Sequence, residues 1–210
     1  MGYDEMPIPL SAVSACLGLA FASGLNCYAV LALIALSQRF GGDVSLPGQI
    51  ELLARPVILW PAAALYVVEF GVDQRRRLGT AWDAMHAFVR PCVGAGLAFL
   101  ALGPMPLIPR LAGAAVGGGL AFAAHGTKAS IRFAARARGQ ARVTVFLSLT
   151  EDLAAALLTF LALLYPVPAL AMVAAGGVTT ALILPRVLVA FARATSRTLD
   201  SVISRAKARQ

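Results

Sequence analysis

Six apolar stretches of membrane-crossing length, joined by short connections, constrain this chain more than any other feature. They run over about 7–37, 56–72, 81–102, 111–133, 143–165 and 168–189. One helical crossing of a bilayer takes about 20 apolar residues. Only 13% of the 210 residues are charged and the mean hydropathy is +0.78; a soluble domain carries about 25% charged residues. A soluble core of this size has no room for so much apolar surface. The expectation is an all-α integral membrane protein of six transmembrane helices. It forms a single membrane domain over residues 1–190, followed by a tail over 191–210.

The connections carry turn residues: Gly41-Gly42-Asp43, Gly79, Pro104-Met105-Pro106, Gly139 and Pro166-Val167-Pro168. In the longest, Leu46 to Leu53 predicts a short interfacial helix. Downstream, Leu188, Phe191, Thr195, Leu199, Val202, Ile203 and Ala206 recur at helical spacing. The tail therefore reads as a basic amphipathic helix, either lying on the cytoplasmic surface or extending span six.

The formal net charge is +8. With six crossings, the amino terminus, loops 2–3 and 4–5 and the tail share one side and hold 13 Lys and Arg, including Arg75–Arg77, Arg132, Arg136, Arg138 and Arg142. The other side holds 3: Arg39, Arg55 and Arg110. Positive charge marks the cytoplasmic side of short loops. Both termini are thus expected in the cytoplasm, in the cell inner membrane. The basic residues meet anionic lipid; no nucleic-acid motif is present, and no nucleic-acid partner is expected. Cys16, Cys27 and Cys92 fall in apolar stretches without a CxxC pair, so free thiols and no metal or other cofactor are expected.

Gly18-Leu19-Ala20-Phe21-Ala22 recurs as Gly119-Leu120-Ala121-Phe122-Ala123. Each copy precedes a run of small or polar residues, Ser23-Gly24-Leu25-Asn26 and Ala124-His125-Gly126-Thr127-Lys128. Two three-helix halves, about 7–103 and 108–190, follow. Three is odd, so the halves would insert as inverted repeats, each with an interrupted first helix. Residues 7–37 exceed one straight span; an interruption near Gly24-Leu25-Asn26 or a steep tilt accounts for the excess.

Polar side chains at membrane depth are costly and mark candidate sites. The candidates for binding a solute or ion are Asn26, His125, Thr127, Lys128, Glu151 and Asp152. Glu69, Asp83, His86 and Arg90 are candidates for charge relay or pairing. Each has a plainer reading. Asn26 can cap or bridge helices. Lys128 can snorkel to the interface. Asp83 and Glu151 can close capping boxes with Thr80 and Ser148. Glu69 can pair with Arg75–Arg77. Asp83, His86 and Arg90 share one helical face, and an unpaired Arg90 is untenable at depth, so it is expected to pair with a carboxylate.

Gly24-Leu25-Asn26-x-Tyr28, Val68-Glu69-Phe70-x-x-Asp73, Trp82-Asp83-x-x-His86-x-x-x-Arg90-Pro91, Ala124-His125-Gly126-Thr127-Lys128-Ala129 and Leu147-Ser148-Leu149-x-Glu151-Asp152 stand in this order. The set resembles the bacterial membrane family known as domain of unknown function 4126, over about residues 15–190. That family usually has Ile where Leu25 stands and often Lys where Gln74 stands. The resemblance implies a multi-helix membrane domain whose polar motifs coincide with the candidates above; it implies no activity.

Three functions fit these features. The first is a transporter or channel for a small solute or ion, proton- or cation-linked, with membrane lipid around it. The second is a non-transporting structural or lipid-binding subunit of a homo-oligomer or larger membrane complex. An intramembrane enzyme acting on lipid ranks last, because no nucleophile constellation, HExxH or P-loop is present.

Overall fold

The computed structural model describes residues 8–40 and 46–207. Among them are six helices and no strand: α1 (Leu10–Phe40), α2 (Pro56–Asp73), α3 (Arg76–Ala101), α4 (Leu107–Ala137), α5 (Ala141–Leu164) and α6 (Pro166–Lys207). All six are long and apolar enough to cross a membrane, so the chain is a multi-pass membrane protein. The Gly41-Gly42-Asp43 turn lies outside the described residues. So do the tail side chains expected to form an apolar face, although the backbone of α6 continues as helix to Lys207.

Local chemistry sets the helix ends. Pro56 and Pro166 open α2 and α6, where a missing backbone N–H costs nothing. Gly139 adopts φ +68° beyond α4. Its N–H donates to Arg136 O and that of Gln140 to Ala135 O, which closes a Schellman cap. Between α1 and α2 the expected interfacial helix is a 3-10 turn, Ile50–Leu53. It tucks under the end of α3, where Gln49 N–H donates to Leu100 O at 2.7 Å.

Helix α1 is the centre of the bundle and packs against all five others. Small residues bring the backbones together. A Cβ on Gly24 would lie 2.5 Å from Ala121 O, one on Gly117 2.5 Å from Ala98 Cβ, and one on Gly18 2.6 Å from Ala162 Cβ. Lipid gives apolar faces no reason to associate, so close approach of this kind supplies the packing. Ala15, Leu19, Ala20, Leu97, Ala98, Ala101, Leu158 and Ala162 form the apolar core on the side of Leu102 and Tyr165.

Two sequence expectations change. Inverted repeats require the two copies of the pentapeptide to run in opposite directions. Instead Cys16 lies beside Gly113, Ala20 beside Gly117 and Gly24 beside Ala121. Both numbers rise together, so the copies run parallel. The likeness is one of composition: both are small-residue faces selected for tight packing. The second copy also lacks its interruption. Helix α4 is continuous from Leu107 to Ala137, because Gly126 fits a helix interior and Thr127 Oγ1 donates back to Ala123 O at 3.0 Å.

Arg132 and Arg136, expected in loop 4–5, belong to α4 and are buried. Removing them leaves 11 basic residues against 3, and the asymmetry between faces persists.

Candidate functional site

Inside α1, Asn26 alone leaves the helical region, with φ −153° and ψ 98°. Extended backbone at one residue divides a helix into two. The amides after it lose their partners, and so do the carbonyls before it. Asn26 supplies the first remedy itself. Its Oδ1 accepts from the N–H of Ala29 at 3.0 Å, the geometry of an N-cap for the second half.

The carbonyls that end the first half are met by two cations. Arg90 Nη1 donates to Gly24 O at 2.7 Å and Leu25 O at 2.6 Å. Lys128 Nζ donates to Leu25 O at 2.5 Å. Positive charge at a helix carboxyl end is favoured by the helix dipole. At the facing amino end of the second half stands a carboxylate: Asn26 Nδ2 donates to Asp152 Oδ1 at 2.8 Å. The site is thus an interrupted helix with cations at one broken end and an anion at the other.

A buried ion-pair network surrounds it. Glu69 pairs with Arg90, and its Oε1 lies 3.5 Å from Lys128 Nζ. Lys128 lies 3.4 Å from Glu151 Oε2. Arg132 pairs with both Asp73 and Glu151 and donates to Ser148 Oγ at 3.1 Å. Arg136 Nη1 donates to Asp83 Oδ2 at 2.6 Å. Arg90 and Arg132 are wholly buried. Charges so enclosed persist only when paired, because removal of one partner leaves the other uncompensated in low dielectric.

The network resolves the alternatives left open by the sequence. Glu69 meets Arg90 and Lys128. Lys128 does not snorkel: it is 3% exposed. Asp83 and Glu151 are not helix caps, since α3 begins at Arg76 and α5 at Ala141. Thr127 is buried, but its hydroxyl serves its own helix.

The two histidines link helices. His86 Nδ1 donates to Trp82 O at 2.8 Å, which leaves Nε2 to accept from Tyr28 OH at 3.0 Å. Its ring also stacks on Trp82. His125 Nε2 donates to Asp83 O at 2.8 Å, and its Nδ1 has no partner among the described residues. Glu69 Oε2 and Asp83 Oδ1 are likewise buried without one. Buried polar atoms ordinarily find partners, so these three are exceptions among the described residues.

Asp152 differs from the other carboxylates. Its two oxygens are held by neutral donors, Asn26 Nδ2 and Tyr66 OH, the latter at 3.1 Å. Among the described residues no cation stands within ion-pair distance of it. It is also half-buried.

Asp73, Arg132, Arg136, Tyr66, Tyr28 and Ser148 are not among the candidates read from the sequence, although Asp73, Tyr28 and Ser148 stand in the family's motifs. A signal for three of them exists. Glu69 and Asp73 on α2 are four apart, as are Lys128, Arg132 and Arg136 on α4. Residues at that spacing share a helix face. The two rows run in the same direction and pair rung by rung.

No curated protein and no solved structure matches the chain. The match to a family description comes from residues 13–193, a range that includes every residue of the network. By that match the chain belongs to the family described as domain of unknown function (DUF4126).

Proposed function

We propose that this chain is a transporter or channel of the inner membrane that moves a proton or small cation, or a solute coupled to one. The site is the interruption of α1 together with Asp152. The single observation that carries this reading is the pair of opposed helix ends at Asn26, cations on one and a carboxylate on the other. Interrupted helices form midplane binding sites in many secondary transporters; here Arg90 and Lys128 occupy the freed carbonyls, and Asp152 is the carboxylate at the other broken end. Glu69, Arg90, Lys128 and Glu151 hold the broken helix open and set its field. Asp152, held only by neutral donors, exchanges the proton or cation. His125 Nδ1 offers a second acceptor deeper inside.

The alternative is a non-transporting scaffold of a membrane complex, favoured by how many of the buried charges are already paired. Purified protein in liposomes separates the two. A pH gradient, or a sodium or potassium gradient, is imposed and the internal pH or cation concentration is followed. The transport reading expects flux above empty liposomes, reduced to their level by Asp152→Asn. Leakage equal to that of empty liposomes for every ion sinks it and leaves the scaffold.

A further inference from the structure

We infer that α1 does not cross the bilayer: it is a re-entrant helical hairpin, turned at Asn26, whose two ends emerge on the same face. Five helices cross instead of six. The amino-terminal end of α1 then lies on the face opposite the arginine-rich α4–α5 connection.

The first ground is direction. Residues 16, 20 and 24 of α1 rise alongside residues 113, 117 and 121 of α4. The first half of α1 is therefore parallel to α4. Helix α2 is also parallel to α4, since Glu69 meets Lys128 and Asp73 meets Arg132. Consecutive crossing helices must alternate in direction. Two successive elements that both start from the face of the Ile50–Leu53 turn require the chain to return to that face in between.

The second ground is reach. Suppose residues 27–40 continued in the direction of the first half. At 1.5 Å per residue they would end about 21 Å beyond Asn26. Gln49 is hydrogen-bonded to Leu100, about ten residues, or roughly 15 Å, from Arg90 in the opposite direction. The nine residues from Phe40 to Gln49 would have to bridge about 36 Å. Fully extended they reach about 32 Å at most, and the last of them are folded into a turn. The second half must therefore double back.

Two further observations agree. Val30 and Ile34 of the second half belong to the same buried apolar cluster as Leu46, Ile50, Leu97 and Ala101. And the apolar window of α1 is 67% buried, against 33% or less for any other helix, as befits a hairpin enclosed by five spans. A turn at membrane depth is tolerated only inside protein. Asn26 is 2% exposed, and its neighbours' carbonyls are capped by Arg90 and Lys128.

The test is sidedness, and it is independent of what the protein carries. Cys16, Cys27 and Cys92 are replaced by Ala, and single cysteines are introduced by Ile8→Cys, Leu52→Cys and Gln140→Cys. An impermeant maleimide is added to vesicles of known orientation. Residues 8 and 52 should react from one face and residue 140 from the other. Reaction of residue 8 from the same face as residue 140 overturns the hairpin. A protease-cleavable tag ahead of residue 1 decides the same question without any cysteine: cleavage from the face of residue 52 supports the hairpin, and cleavage from the face of residue 140 refutes it.

Discussion

A residue with extended backbone inside an apolar helix strands the carbonyls before it and the amides after it, and in lipid neither has water to turn to. Asn26 is suited to the position because one short amide side chain both accepts from Ala29 and donates to Asp152. Loss of an N-cap costs about 0.5–2 kcal/mol. Asn26→Ala should lower the thermal unfolding temperature in detergent accordingly. Asn26→Asp keeps the capping oxygen but sets a second carboxylate against Asp152, so it should be no more stable than the alanine variant at neutral pH. Recovery to the wild-type temperature by Asn26→Asp would show that the two side chains do not repel each other. Gly24 tests the same neighbourhood by size. Its Cβ would collide with the backbone of Ala121, which cannot move aside as a side chain could. Overpacking of this kind costs typically about 1–3 kcal/mol, so Gly24→Ala should melt earlier. Gly71, where an added methyl would meet nothing within 4 Å, is the matched control, and Gly71→Ala should show no loss in the same melt.

At the scale of elements, long charged side chains do what close packing does elsewhere. Helices α1, α3 and α4 meet through glycine and alanine. Helix α2 is tied to α4 by the pairs Glu69–Lys128 and Asp73–Arg132. Glu69→Gln leaves Arg90 and Lys128 short of an anion and should cost about 3–5 kcal/mol, the usual penalty for breaking a buried pair. Adding Lys128→Met should return part of that loss. A double-mutant cycle in chemical denaturation reads the coupling, expected at about 0.5–3 kcal/mol for groups in one network. Strict additivity would mean that the two side chains do not interact. The helices themselves are legible in the sequence because hydropathy follows span boundaries closely: 56–72 against Pro56–Asp73, 143–165 against Ala141–Leu164. The pairing is legible only in part. Arg90 has to find a carboxylate and does. Hydropathy places Arg132 and Arg136 in a loop because it treats an arginine as a marker of the interface. Their burial depends on Asp73, Asp83 and Glu151 arriving from other helices, which no one-dimensional pattern reports.

The whole molecule has two unlike halves. Toward Leu102 and Tyr165 the interior is apolar and close-packed. Toward the arginine-rich connections it holds four cations, Arg90, Lys128, Arg132 and Arg136, among five carboxylates, with the turn of α1 at the boundary. Direction of the chain is the feature least legible in the sequence. An apolar stretch of 31 residues has the same composition whether it crosses the bilayer or turns back, and counting crossings from charge assumes the former. The candidate site depends on α1 bending back at Asn26 within that charged cluster. The most direct measurement is the distance between spin labels at positions 8 and 39, read by pulsed electron resonance on protein in lipid nanodiscs. A hairpin brings the two ends within about 30 Å, since its legs are only about 24 and 21 Å long. A distribution centred at about 45 Å, the length of an unbroken 31-residue helix, would contradict it.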